Sequence, residues 1–157
     1  MKVKVSTLSN KILEAIARAK PSDVEYDVDK AVNILSGAEE IEPGRDIQLI
    51  TKSPLPYEDY DNYNDDYRKV AYASFNSLIK ELQSRLGDRV YFSRYPIGSY
   101  GPGVLYYIIT SDMEVYDLGG LSHNFSVSLS RLTPYKRDFQ LKRFNKNKKF
   151  AAWKSSL

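Results

Sequence analysis

Apolar positions along the chain follow two periods, and the change between them divides it. Leu8, Ile12, Ile16 and Ala19 recur at helical spacing, which predicts a helix capped by Ser6 or Thr7 and ended by Pro21. A shorter helix is expected from about Asp27 to Leu35, burying Val28, Ala31, Ile34 and Leu35, with Gly37 as its left-handed stop. The longest stripe follows: Tyr67, Val70, Ala71, Phe75, Leu78, Ile79, Leu82 and Leu86 share one face of a core helix from about Asp66 to Leu86. Asp65 and Asp66 suit its N-terminus, where the backbone dipole favours negative charge, and Gly87 is placed to end it.

The other period is that of extended chain. Met1 to Val5 alternates apolar and basic residues as a short edge strand would, and Asp46 to Thr51 reads as a strand. After Gly87 come Arg89 to Tyr95, Val104 to Ile109 and Glu114 to Leu118, each a run of branched and aromatic residues. Gly119-Gly120 is expected to turn the chain into His123 to Ser130, where Phe125, Val127 and Leu129 alternate with serines, so that one face is buried and one solvated. Pro134 opens a last helix that docks Tyr135 and Phe139, with Leu141 or Phe144, and Asn145 to Trp153 reads as a basic tail. Helices, then consecutive strands, then a helix predict a single α+β domain over 1–157. Its mixed or antiparallel sheet of about four or five strands is packed by a long central helix and N-terminal helices, with a basic C-terminal helix or tail over 134–157.

Composition narrows the chemistry. The chain of 157 residues has no cysteine and one histidine, which excludes disulfides, thiolate metal sites and a histidine-rich zinc site. A metal, if used, must be held by carboxylates, which points to magnesium or manganese. His123 beside the Gly-Gly pair reads as a surface residue, since no partner for acid or base work is apparent. No apolar run is long enough to span a membrane and no leader is evident at Met1, so a cytoplasmic chain without membrane contact is expected. The stretch from Ser53 to Asp66, rich in acids and proline, reads as a solvated loop or a lid.

One segment carries the candidate catalytic residues. A strand enters the glycine-rich loop Tyr95-Pro-Ile-Gly-Ser-Tyr-Gly-Pro-Gly103, and an apolar run then leads to Ser111-Asp-Met-Glu-Val115. Glycines let a backbone approach a phosphate, and acids two apart on a strand point to one face, where a divalent cation could bridge them. Helix, strand, Gly98-Ser99 turn and Asp112-x-Glu114 together resemble the core of the nucleotidyltransferase (polymerase-β-like) superfamily, over about 40 residues. The resemblance implies phosphate binding at Gly98 and Ser99 and metal binding at Asp112 and Glu114. The family's third acid has no match on the following strand, where Asp138 is the only later carboxylate. Glu81, beside the stripe of the long helix, would be a supporting acid or a simple i,i+4 partner of Arg85. The chain's cysteine-free, tyrosine-rich character also resembles that of small proteins of viruses infecting hot-acid archaea, which would place it in a host cytoplasm. On this expectation the chain is a magnesium- or manganese-dependent nuclease acting on DNA. The same residues also read as ordinary hairpin chemistry, with Ser111-Asp112 capping a turn.

Charge gives a second, independent lead. The net charge of +3 hides an asymmetry: from Arg131 onward nine bases face a single acid, Asp138. Lys142, Arg143, Lys146, Lys148 and Lys149, interleaved with Tyr135, Phe139, Phe144, Phe150 and Trp153, are expected to clamp double-stranded DNA through phosphate contact and stacking. The alternative to an enzyme is therefore a non-enzymatic DNA-binding or virion protein.

Overall fold

The computed structural model describes residues 25–53, 65–96, 104–120 and 126–157. The expected strand at Met1, the first helix, most of the acidic stretch, Gly98 and Ser99, and His123 lie outside them.

The fold is α+β. In chain order it runs β1 (Glu25–Tyr26), α1 (Val28–Leu35), β2 (Ile47–Leu49), β3 (Thr51–Ser53) and α2 (Asp65–Leu86), with a 3-10 turn at Gly87–Arg89. Then come β4 (Val90–Pro96), β5 (Val104–Thr110), β6 (Val115–Gly120), β7 (Val127–Arg131), α3 (Pro134–Phe144) and α4 (Lys148–Ser155). The main sheet has the order β2-β7-β6-β5-β4, with every neighbouring pair antiparallel, while β1 and β3 form a separate antiparallel ribbon.

Helices cover both faces of this sheet, because side chains on a strand alternate between them. Val90, Ile108, Tyr116, Leu118, Val127 and Leu129 face one way and pack with Phe75, Leu78, Ile79 and Leu82 of α2 and with Ala31, Ile34 and Leu35 of α1. Tyr91, Tyr107, Ile109 and Val115 face the other way, into a smaller cluster closed by Leu132, Leu141, Phe144, Phe150 and Trp153. The α1 helix begins where expected: the Asp27 carboxylate accepts from the Lys30 amide at 3.1 Å. It is followed by Gly37 at φ +85°.

Four expectations are corrected. Asp46–Thr51 is two short strands in different sheets, because the chain switches at Ile50, whose side chain is fully buried and whose amide donates to the Val127 carbonyl at 2.8 Å. Gly119 and Gly120 are not the turn: both lie in β6, paired with Ser128 and Val127. The supposed tail is the helix α4, because Phe150 is buried completely between Tyr91, Phe144 and Trp153. Finally, α3 docks through Leu141 and Phe144, while Tyr135 and Phe139 point to solvent. Among the described residues, no helix is long and apolar enough to cross a membrane.

Candidate functional site

The segment from Thr110 to Glu114 is a hairpin turn. The Thr110 amide donates to the Glu114 carbonyl at 3.0 Å, and the Met113 amide donates to the Thr110 carbonyl at 2.9 Å. Met113 sits at φ +64°, the left-handed position that closes a three-residue hairpin loop. Glycine usually fills that position. Here methionine is held there because its side chain packs against the smaller core cluster. Neither acid is therefore a strand residue, and the expected shared face of Asp112 and Glu114 does not form. Asp112 is turned to solvent, where its carboxylate accepts from the Thr110 hydroxyl and lines a cleft of about 230 Å³ shared with Arg89 and Tyr116.

Glu114 is turned inward to two cations. Arg131 of β7 grips it as a fork, its Nε 3.1 Å from Oε2 and its Nη2 3.1 Å from Oε1, and Arg137 of α3 donates from Nη1 to Oε1 at 2.8 Å. The Glu114 side chain is only 13% exposed, so the water around it has been replaced largely by guanidinium N–H groups. The hydrogen bond to Glu114 raises the Arg131 pKa above its ordinary value. Arg137 is raised as well, first by its bond to Asp138 and then by Glu114. The node ties the β5–β6 turn, β7 and α3 together, which the hairpin reading of the sequence did not anticipate.

Glu81 lies at an exposed position of α2, on the opposite side of the sheet from α3. Its expected partner Arg85 pairs instead with Asp29, at 2.7 Å. The three acids Asp112, Glu114 and Glu81 are thus a turn cap, a two-arginine anchor and a residue of another layer. This arrangement does not fit a bridging magnesium or manganese ion, since both Glu114 oxygens are already held by arginine. Among the described residues, no group of three or more histidine, cysteine, aspartate or glutamate side chains converges.

The basic residues are brought together more closely than the sequence suggested. Lys142 and Arg143 end α3, Lys146 lies in the connection, and Lys148 and Lys149 begin α4, so all five stand at one elbow. All five are exposed, and none forms an ion pair with another described residue. The elbow is fixed from below by Phe144 and Phe150, and at its turn by Asn147, whose side chain accepts from the amides of Lys149 and Phe150. The first turn of α4 carries no acid. Lysines there oppose the positive end of the helix dipole, so their placement costs the helix stability instead of adding to it.

The interleaved aromatics divide by role. Phe144, Phe150 and Trp153 are core residues, and Trp153 also donates from Nε1 to the Asp88 carbonyl at 2.8 Å. Only Tyr135 and Phe139 of that set remain outside, and they border a groove against the sheet. No family model, curated protein or solved structure matches the chain.

Proposed function

We propose that this chain binds nucleic acid through the α3–α4 elbow, by phosphate contacts from Lys142, Arg143, Lys146, Lys148 and Lys149. The observation that carries this reading is the gathering of five cations at one bend with no counter-ion among the described residues, two of them where they work against their own helix. Phosphate contact of this kind releases condensed counter-ions and is indifferent to sequence. The pairs of Arg131 with Glu114 and Glu40, and of Arg137 with Glu114 and Asp138, support it indirectly: they offset these two bases, so most of the unpaired positive charge of the C-terminal layer, among the described residues, lies at the elbow. Hydrolysis of DNA by Asp112, Glu114 and Glu81 is the less favoured reading, because a metal would have to displace two arginines from Glu114.

A salt titration of duplex DNA binding tests the proposal. The slope of log affinity against log salt is expected to fall by roughly 0.9 for each phosphate contact removed as the five bases are replaced by alanine. An unchanged slope in the fivefold variant would sink it. Adding magnesium to linear duplex tests the rival. Cleavage by the parent that disappears in Asp112→Ala, Glu114→Gln or Glu81→Ala would restore the nuclease reading.

A further inference from the structure

Tyr135 is 84% exposed and Phe139 is 55% exposed, although α3 docks its other face into the smaller core cluster. They stand four residues apart, one turn of the same helical face, and Lys142 continues that face toward the elbow. Beside them is a groove of about 510 Å³. Its floor is Tyr107 of β5 and Asp117 of β6, directly opposite each other in the sheet, and its lip carries Lys136 and Phe139.

The groove sorts its surroundings by charge. Asp117 is engaged by the protein as well, and what it adds here is a carboxylate on the floor, which turns a phosphate away. Lys136, exposed at the lip and without an ion pair among the described residues, draws a phosphate outward. An occupant with a flat apolar body, an edge that donates hydrogen bonds and an anionic attachment satisfies all three demands. A nucleobase on its sugar-phosphate is such a group: its face stacks on aromatic rings, and its exocyclic amino group is suited to a carboxylate. Bases in an intact duplex hide their faces against one another, so aromatic side chains offered to solvent gain a partner only from an unpaired strand.

We infer that this groove takes an unpaired nucleobase, stacked against Tyr135 and Phe139 with its phosphate toward Lys136, so that the preferred ligand of the elbow is single-stranded nucleic acid. The inference rests on the nucleic-acid reading of the elbow and narrows it.

The test compares three polyanions at one ionic strength with the full chain: an oligodeoxyadenylate of about 12 nucleotides, whose bases carry the exocyclic amino group, its duplex with oligothymidylate, and heparin, which has charge without bases. The single strand is expected to bind roughly tenfold tighter than the duplex. The double variant Tyr135→Ala/Phe139→Ala is expected to lose roughly tenfold or more for the single strand, as removal of a stacking ring does, and to keep its heparin affinity. Phe139→Leu, which keeps apolar bulk and removes the π-face, is expected to show part of that loss. If the double variant melts earlier than the parent, Tyr135→Ser alone decides by the same ratio. Equal affinity for strand and duplex, or a double variant that binds the single strand like the parent, overturns the groove and leaves the elbow standing. Failure to bind any of the three, heparin included, overturns both.

Discussion

The indole of Trp153 donates to the backbone carbonyl of Asp88 at 2.8 Å, joining the last helix of the chain to the residues that lead into β4. The same ring stacks at a tilt on Tyr91 and Phe150, with centroids 5.6 Å away in each case. Trp153→Phe keeps most of the packing and removes the donor. It is expected to lower stability by about 1 kcal/mol, the net worth of a hydrogen bond. Phe150→Ala, which empties a fully buried site, is expected to cost about 3–5 kcal/mol. Urea unfolding of the two variants checks both values, and equal losses would mean that the indole anchor was misassigned.

Glu114→Gln keeps the shape of the two-arginine node and removes its charge. Arg131 and Arg137 would then face each other around a neutral amide, so a loss of about 2 kcal/mol is expected, in line with hydrogen bonds to charged groups. Asp112→Asn, in the exposed turn, is expected to change stability by less than about 0.5 kcal/mol. Denaturant midpoints of the pair measure the contrast. A Glu114 variant as stable as the parent would show that the node holds nothing.

Gly120 lies at φ +147°, and a Cβ there would come within 2.1 Å of the Ser126 carbonyl oxygen. Backbone cannot retreat as a flexible side chain can. Gly120→Ala is therefore expected to destabilise by more than about 1 kcal/mol, combining an unsuitable backbone angle with the clash. Gly37, at φ +85° with open space around it, should show the angle penalty alone. Thermal melts of both alanine variants separate the two effects.

Burial pushes the Tyr26 phenol up to about 12. The folded state thus keeps its proton where the unfolded chain has begun to lose it, and the folded protein binds more protons between about pH 10 and 12. Tyr26 therefore contributes stability that is fully present below pH 10 and lost as pH rises through that window. In Tyr26→Phe the alkaline decline is expected to be shallower. Urea midpoints at several alkaline pH values, parent against variant, give the result, and parallel curves would remove Tyr26 from the account.

The fold was legible where period and stop signals agreed. The stripe from Phe75 to Leu86, closed by Gly87, and the helix from Asp27 to Gly37 carry both kinds of signal, and both lie where expected. Sheet order and the two-faced packing were not legible, because they depend on which strand faces meet which helices. Tyr91 and Phe92 look alike in sequence yet belong to different core clusters. Hydrophobicity alone misplaced the last segment. Within one basic stretch Phe150 is buried and Phe139 is not, because α3 docks through the face that carries Leu141 and Phe144 while α4 docks through Phe150 and Trp153. The candidate acids went astray for a local reason. A left-handed Met113 reverses the alternation between Asp112 and Glu114, and no glycine announced it.

The two-faced packing has a thermodynamic consequence for the C-terminal layer. That layer rests on the smaller of the two hydrophobic clusters found among the described residues, so fewer buried apolar side chains hold it than hold the layer of α1 and α2. A polyanion held at the elbow would bind only while α3 and α4 are docked. Ligand at about a hundred times its dissociation constant would then add about 2.7 kcal/mol to the docked state. The firmness of these two helices would become a property of the solution around them, set by how much partner is present.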